Sequence, residues 1–266
     1  MKRALVATLA LGIGLAAWWT YIRTRKSRGA HRIATTLHLN AKWWRERGKQ
    51  EGDLLYVAIG DSAAQGVGAS KPHRGYVGAI AKHIRNESGK SVRAVNLSVS
   101  GARLREALAV QLPQIVKLTP DIMTVAVGAN DMADFDPKRF ERELRTVLDS
   151  VPKHAIIGEV PCFFFGQPNK NARMANDIVH ELADELGFRV APVYESTRRQ
   201  GVARTAFYHA SPDYFHPNDR GHRVWADAFL PLVDKRLSSL LGPKHRQSTT
   251  GEATPVAEAV SDGATA

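Results

Sequence analysis

The chain has 266 residues, of which 44% are hydrophobic, so it is long enough for one well-cored domain with appended segments. Its single cysteine, Cys162, excludes an intrachain disulfide, and no group of Cys and His residues has the spacing of a zinc site. Residues 1–50 hold 11 Lys and Arg and one acidic residue, whereas residues 51–266 have a net charge of only +1, which argues against a dedicated nucleic-acid-binding domain.

An uncharged run of 19 residues, 4–22, follows a basic start and ends in two tryptophans, a threonine, a tyrosine and an isoleucine. A helix of that length spans about 28 Å, close to the core of a bilayer, and aromatic residues suit a membrane–water interface. A cleaved signal peptide is the alternative, but tryptophans followed by a basic cluster fit one poorly. We therefore predict a single-pass membrane anchor over residues 1–22, on an undecided side of the membrane.

Residues 23–50 form a predicted basic connector. Ile33, Leu37, Trp43 and Trp44 give it an apolar stripe between lysines and arginines. Such a segment either lies on an anionic membrane surface or packs against the following domain, and both alternatives stay open.

From residue 54 onward, short apolar runs alternate with longer amphipathic ones. The runs predict strands over residues 54–59, 92–97, 122–127, 155–160 and 188–193. The amphipathic segments predict helices over residues 76–88, 104–118, 137–150, 171–186 and 218–241. This alternation is typical of an α/β domain with a parallel sheet covered on both faces, here over residues 51–242. Residues 243–266 are rich in Ala, Thr, Ser and Glu and predict a disordered tail.

Four polar blocks carry residues that acyl transfer requires. Three of them follow predicted strands and contain Ser62, Gly101 and Asn130. The fourth, residues 213–217, comes just before the last predicted helix. Because the carboxyl ends of parallel strands lie at one edge of the sheet, we expect the first three blocks to meet there.

The residue types in these blocks predict a nucleophile and its base. The Ser62 hydroxyl can attack a carbonyl only if a base removes its proton, and His216 can do so at neutral pH. Asp213, three residues earlier, can hold the imidazole ring and stabilise its protonated form. His209 and His222 are rival bases, ranked lower because neither belongs to the Asp-x-x-His block.

A developing oxyanion needs hydrogen-bond donors that are already in place. The candidates are the backbone amides of Ser62 and Gly101 and the side-chain amide of Asn130. Asp61 and Asp131, beside two of these residues, are interpreted as turn stabilisers.

These four blocks resemble the GDSL-type, or SGNH, esterase and lipase family, whose name lists residue types found here at Ser62, Gly101, Asn130 and His216. The family's Asp-x-x-His-Pro block is matched by residues 213–217, and the resemblance covers roughly residues 54–241. One departure is that Ala63 and Ala64 follow Gly-Asp-Ser in place of a leucine and a hydroxyl residue. The resemblance implies a flavodoxin-like three-layer α/β/α sandwich with a mainly five-stranded parallel sheet. It also implies no metal or cofactor, and hydrolysis of a carboxylic ester through an acyl-enzyme.

The expected substrate is a small-molecule or lipid acyl ester of undetermined chain length and head group. An acyltransferase that hands the acyl group to a sugar or lipid hydroxyl would use the same residues. A catalytically inactive binding module is a third interpretation. The presence of Ser62, Asp213, His216 and Asn130 argues against it, since such a module has no need of all four. Residues 163–165 are three phenylalanines after the fourth strand, and at least one is a candidate for lining an acyl pocket. The alternative, favoured for any single phenylalanine, is that it fills the core or a loop cluster.

Overall fold

The computed structural model describes residues 2–242. In residues 2–32 it describes side chains only at positions 17, 20, 21, 23, 24, 27–29 and 31. Met1, the predicted tail 243–266 and most side chains of the predicted anchor 1–22 therefore lie outside the described residues. Within the described part of the chain, no helix combines the length and the apolarity needed to cross a bilayer.

The described chain alternates strands and helices. The strands are β1 Leu54–Gly60, β2 Val92–Asn96, β3 Ile122–Ala126, β4 Ile156–Gly158 and β5 Arg189–Ala191. The helices are α1 Lys2–Gly48, α2 Tyr76–Ser88, α3 Leu104–Glu106, α4 Leu112–Ile115, α5 Pro137–Asp149, α6 Gly166–Leu186, α7 Val193–Arg198, α8 Val202–Arg204 and α9 Asp219–Leu241.

All five strands are parallel and lie in the order β2-β1-β3-β4-β5. This is the strand order of flavodoxin-like sheets, and it confirms the predicted five-stranded parallel sheet. The order reverses at β1, which pairs with β2 on one side and with β3 on the other. Ligands of open α/β sheets bind at such a switch point, outside the carboxyl ends of the strands.

Helices cover both faces of the sheet. Successive side chains of a strand point to opposite faces, so Val57 and Ile59 join a core with α5 and α6, whereas Tyr56 and Ala58 join a second core with α2 and α9. Both cores are filled by buried aliphatic and aromatic side chains. The three layers are therefore helix, sheet and helix.

The helix predicted over residues 104–118 is interrupted. Between α3 and α4 the chain makes a π-helical turn, Ala107–Gln111, and Pro113 lies in the first turn of α4. Proline has no backbone N–H and cannot donate to the preceding turn, so the regular hydrogen-bond pattern is lost here.

Helix α1 continues through the segment predicted as a connector and contacts the domain along its later part. The Trp44 side chain is only 3% exposed, and its Nε1 donates to the Gln65 carbonyl at 3.1 Å. Arg93 Nε donates to the Gly48 carbonyl at 2.9 Å, which ties the end of the helix to the edge strand β2. Gly29 packs so closely on the domain that a methyl group there would lie 2.4 Å from the Pro212 carbonyl oxygen.

Candidate active site

The five site residues predicted from the sequence border one cleft at the carboxyl edge of the sheet. Ser62 lies two residues beyond β1, Gly101 follows β2, and Asn130 lies in a 3₁₀ turn after β3. Asp213 and His216 reach the same cleft from the loop before α9. Parallel strands thus bring together residues that are far apart in the sequence.

Ser62, His216 and Asp213 form a continuous chain of hydrogen bonds. The Ser62 Oγ lies 2.9 Å from His216 Nε2, and His216 Nδ1 lies 2.6 Å from Asp213 Oδ2. In the tautomer that donates from Nδ1 to the carboxylate, Nε2 is free to accept the Ser62 proton. Ser62 is 8% exposed, and its hydroxyl borders the cleft.

The Asp213 carboxylate is held ionised by its surroundings. Burial acts most strongly on it and would raise its pKa, but hydrogen bonds from His216, Ser211 and the amides of Phe215 and His216 outweigh burial and lower the pKa below its ordinary value. The Ser211 hydroxyl donates to Oδ1 at 2.5 Å, and the two amides donate at 3.0 and 3.1 Å. Tyr214 adopts a left-handed backbone conformation, φ 57°, which turns the chain between the carboxylate and the imidazole.

Asn218 fixes the loop that carries His216. Its side-chain oxygen caps α9 by accepting from the amides of Arg220 and Gly221. Its Nδ2 donates to the carbonyls of Tyr208 and Ala210, and so joins the loop to the preceding segment. The last helix of the domain therefore positions the imidazole that precedes it.

The predicted oxyanion donors belong to residues that line the same cleft. Among the described residues, neither the Ser62 amide nor the Gly101 amide donates a hydrogen bond to the protein. Gly101 has φ 80° and no atom within 4 Å of the place a side chain would occupy. A residue with a Cβ would be strained there, and it would fill space next to Ser62. Asn130 Nδ2 donates to the Ala102 carbonyl at 3.0 Å, with a longer contact of 3.4 Å to Asp61.

Two buried carboxylates brace this edge of the sheet. Asp61 Oδ1 accepts from the Ala63 amide at 2.9 Å, and burial raises the pKa of Asp61 to about 6. Asp131 accepts from the Leu104 amide at 3.2 Å, and burial likewise raises its pKa to about 6. Both carboxylates lie in the turns that present the predicted site residues.

Neither rival histidine is hydrogen-bonded to Ser62 among the contacts of the described chain. His222 is fully buried, where its Nε2 donates to the Val67 carbonyl at 3.0 Å and its Nδ1 accepts from the Tyr76 amide at 3.4 Å. Burial lowers its pKa to about 4, so the ring is neutral at pH 7. His209 lines another part of the cleft, and burial lowers its pKa as well.

Sequence reasoning missed Gln65, which connects three elements around the cleft. Its Nε2 donates to the Ser98 carbonyl at 2.7 Å, and its Oε1 accepts from the Ser100 hydroxyl at 2.8 Å. Its backbone carbonyl accepts from Trp44 and from Asn40 of α1. Gln65 therefore holds together the loop of Gly101, the loop of Ser62 and helix α1, through its side chain and its backbone carbonyl.

Gln111 is a second supporting residue that was missed. Its side chain makes two hydrogen bonds to Gly60 at the end of β1, accepting from the amide at 3.0 Å and donating to the carbonyl at 2.8 Å. This clamp holds the backbone two residues before Ser62. The only sequence signal for this role is the position of Gln111, a polar residue among the apolar residues of 107–112.

The cleft has two arms that share Ser62, Asn130, Phe215 and His216. The first, here called the inner arm, has a volume of about 130 Å³ and is lined by residues that include Cys162, Phe163, Phe164, Thr197, His209 and Trp225. The second, here called the α1 arm, is lined by Ile33, Ala34, Leu37, Ser100, Gly101 and Asp213 in addition to the shared residues. Phe163 and Phe164 thus line the cleft, whereas Phe165 is exposed.

The described residues contain no group of three His, Cys, Asp or Glu side chains arranged to hold a metal ion. The polar side chains that line the α1 arm are those of Ser62, Ser100, Asn130, Asp213 and His216.

A family model for the GDSL-like lipase/acylhydrolase family matches residues 58–224, which is more than half of the chain and includes every predicted site residue. The chain belongs to the GDSL-like lipase/acylhydrolase family. The predicted resemblance is confirmed, and with it the class of enzyme: the protein is an ester hydrolase of the GDSL-like type.

Solved structures with the same fold cover almost the whole of their own chains. LAE5, an alpha/beta hydrolase from the metagenome of Lake Arreo, is 22% identical, with a TM-score of 0.57 over 70% of this chain and 97% of its own. Axe2, an acetylxylan esterase from Geobacillus stearothermophilus, is 20% identical, with a TM-score of 0.55 over 68% and 94%. The extracellular lipase of Streptomyces rimosus is 20% identical, with a TM-score of 0.53 over 69% and 100%. No curated protein matches the chain.

Proposed function

We propose that this GDSL-like enzyme hydrolyses carboxylic esters through an acyl-enzyme on Ser62, with His216 as the base and Asp213 as its orienting partner. The observation that carries the proposal is the hydrogen-bonded chain from the Ser62 hydroxyl through the His216 ring to the Asp213 carboxylate. The hydrolase and esterase names of proteins with the same fold also support it.

Acylation begins when His216 Nε2 takes the Ser62 proton while Oγ attacks the ester carbonyl. The negative charge that develops on the carbonyl oxygen is stabilised by the amides of Ser62 and Gly101 and by Asn130 Nδ2. Collapse of the tetrahedral intermediate breaks the bond to the alcohol, which leaves with the proton from His216. Asp213 remains ionised throughout, which favours the protonated imidazole.

Deacylation repeats these steps with a new nucleophile. His216 removes a proton from water, the resulting hydroxyl attacks the acyl-enzyme, and the acid is released as Ser62 regains its proton. A sugar or lipid hydroxyl in the place of water would give acyl transfer through the same residues. Ester hydrolysis is the primary proposal because the family is one of acylhydrolases.

The proposal is tested with a series of p-nitrophenyl esters, by measuring both released alcohol and released acid. Ser62→Ala is expected to lower turnover by about 10⁴-fold or more, because the covalent route is lost. Ser150→Ala, a substitution at an exposed serine at the end of α5, is the matched control and is expected to retain wild-type turnover. Substantial turnover by a purified, folded Ser62→Ala variant would overturn the mechanism.

Adding methanol or a sugar alcohol to the same assay separates hydrolysis from transfer. The proposal predicts free acid as the main product even in the presence of the acceptor. New ester formed in preference to acid would identify an acyltransferase. Absence of turnover with every ester would favour the binding module.

We also propose that residues 4–22 tether the enzyme to a membrane. The proposal rests on the uncharged run between basic residues, and on the nearly neutral charge of the chain beyond residue 50. Alkaline phosphatase fused after Asp53 reports the side: activity would place the domain outside the cytoplasm, and its absence would place it inside.

A further inference from the structure

Helix α1 forms a wall of the candidate active site. Ile33, Ala34 and Leu37 line the α1 arm together with Ser62 and Gly101. Ile33 and Leu37 are four residues apart, so their side chains lie on the same face of the helix. The family match begins at residue 58, so this wall is an addition to the part of the chain that the family model covers.

The helix is fixed to the domain on both sides of the wall. Before it, Gly29 is buried against the 212–213 peptide, next to the Asp213 that holds His216. After it, Asn40 Nδ2 and Trp44 Nε1 both donate to the Gln65 carbonyl, at 3.3 and 3.1 Å. The wall is therefore held against the loops that carry the candidate nucleophile and base.

The α1 arm is suited to an apolar ligand. Ile33 and Leu37 are partly buried, and Phe215, which lines both arms, is 60% exposed. The one carboxylate among its described lining residues is that of Asp213, whose two oxygens already accept hydrogen bonds. A bound hydrocarbon chain would remove these apolar surfaces from water without burying an unpaired charge.

We propose that the α1 arm binds an apolar chain of the ester substrate, and that Ile33 and Leu37 determine the preference for long chains. The inference rests on the proposed ester hydrolysis at Ser62 and extends it to the class of substrate. A short ester occupies only the region around Ser62, whereas a longer chain extends along the arm to Ile33 and Leu37.

The test measures kcat/KM of the full-length enzyme in detergent for two series of esters. One series starts from p-nitrophenyl acetate and lengthens the acyl chain, and the other consists of alkyl acetates with alcohols of increasing length. Ile33→Ala and Leu37→Ala are each expected to lower kcat/KM for the longest esters of one series by about 5- to 20-fold, because each removes methylene groups from the contact. The kcat/KM of both variants for p-nitrophenyl acetate is expected to stay within about twofold of the wild-type value.

Leu39→Ala is the matched control, because Leu39 lies on the same helix but is 52% exposed and does not line the arm. It is expected to leave the chain-length profile unchanged. Leu37→Trp, which fills the arm and leaves the rest of the helix intact, is expected to lower long-ester turnover further while acetate turnover persists.

Two results would overturn the inference: an unchanged chain-length profile in the Ile33 and Leu37 variants, or an equal loss for short and long esters. A failure of the proposed function would look different, because wild type would then turn over no ester, or Ser62→Ala would turn over acetate as well as wild type does.

Discussion

The Asn130 side chain has two N–H bonds, and only one of them makes a short hydrogen bond, to the Ala102 carbonyl. The contact with Asp61 is longer, at 3.4 Å, and we propose that this more weakly held N–H donates to a bound oxyanion instead. The Ser62 and Gly101 amides are available in the same cleft. Charge stabilisation by fixed donors of this kind acts mainly on the transition state.

Replacing Asn130 by Ala is therefore expected to lower kcat by roughly 10²–10³-fold with a much smaller change in KM. Steady-state kinetics on a short ester measures both constants. If the substitution changed KM alone, Asn130 would belong to substrate binding and the proposed oxyanion site would lose its side-chain donor.

His222 gives a prediction about stability and pH. Burial lowers its pKa to about 4 in the folded chain, against an ordinary value of 6.5. Between these values the unfolded chain binds a proton that the folded chain does not, so the free energy of unfolding falls as the pH is lowered from 6.5 towards 4. The loss from this one residue approaches about 3 kcal/mol at the acid end.

We expect His222→Gln to reduce the pH dependence of the unfolding free energy between pH 4 and 6.5, as measured by urea denaturation. The raised pKa values of Asp61 and Asp131 act in the opposite direction, but they are common to both proteins and cancel in the comparison. Identical slopes for the two proteins would show that His222 is not a buried neutral ring.

At the scale of residues, the sequence was enough to place Ser62, Gly101 and Asn130 at one edge of the sheet, because parallel strands end there. Asp213 and His216 follow no strand, and they were assigned to the same site from the Asp-x-x-His-Pro block and the family resemblance. The side chains that hold them in place were not predictable in the same way. Gln65 and Gln111 act through partners that are 21 to 51 residues distant in the chain, and no local pattern encodes such contacts.

Helix α1 is the element whose role the sequence left open. Its apolar stripe fits a membrane surface as well as a domain surface, because both remove apolar side chains from water. The described contacts of Trp44, Asn40 and Gly29 are with the domain. They depend on the folded positions of Gln65 and Pro212, which periodicity in residues 23–50 does not reveal.

The adjacent residues Trp43 and Trp44 provide a matched test of that packing. Trp44 is buried in the core between α1 and the sheet, whereas Trp43 is only partly buried. Trp44→Ala is expected to lower the free energy of unfolding by about 3–5 kcal/mol, and Trp43→Ala by clearly less. Equal losses in urea denaturation, or a loss below about 1 kcal/mol for Trp44→Ala, would contradict the packing of α1 on the domain.

At the scale of the whole molecule, α1 links the predicted anchor to the cleft without a break. Ile33 comes eleven positions after Ile22, which corresponds to about 16 Å along a helix. With residues 4–22 in a bilayer, the α1 arm would thus lie within roughly that distance of the end of the anchor. A continuous helix would hold the cleft near the membrane, whereas a flexible linker would not.

The tether is tested by comparing three chains: the full-length protein, one that begins at Arg23 and one that begins at Glu51. We expect only the full-length chain to sediment with membranes. The chain that begins at Arg23 is expected to keep the Tm and acetate turnover of the full-length protein, because Gly29 and Trp44 remain. The chain that begins at Glu51 is expected to have a lower Tm, because it lacks Trp44.

Recovery of the full-length protein in the soluble fraction with its N-terminus intact would contradict the anchor. A Tm for the Glu51 chain equal to that of the Arg23 chain would separately contradict a structural role for α1.

The central claim is that Ser62 becomes covalently modified with His216 as its base, and a fluorophosphonate probe tests it most directly. Such a probe reacts with serines that a neighbouring base activates, and peptide mass spectrometry identifies the modified residue. The account predicts a single adduct on the peptide containing Ser62, and loss of labelling in His216→Ala at the same probe concentration. An adduct on another serine, or undiminished labelling of Ser62 in His216→Ala, would contradict it.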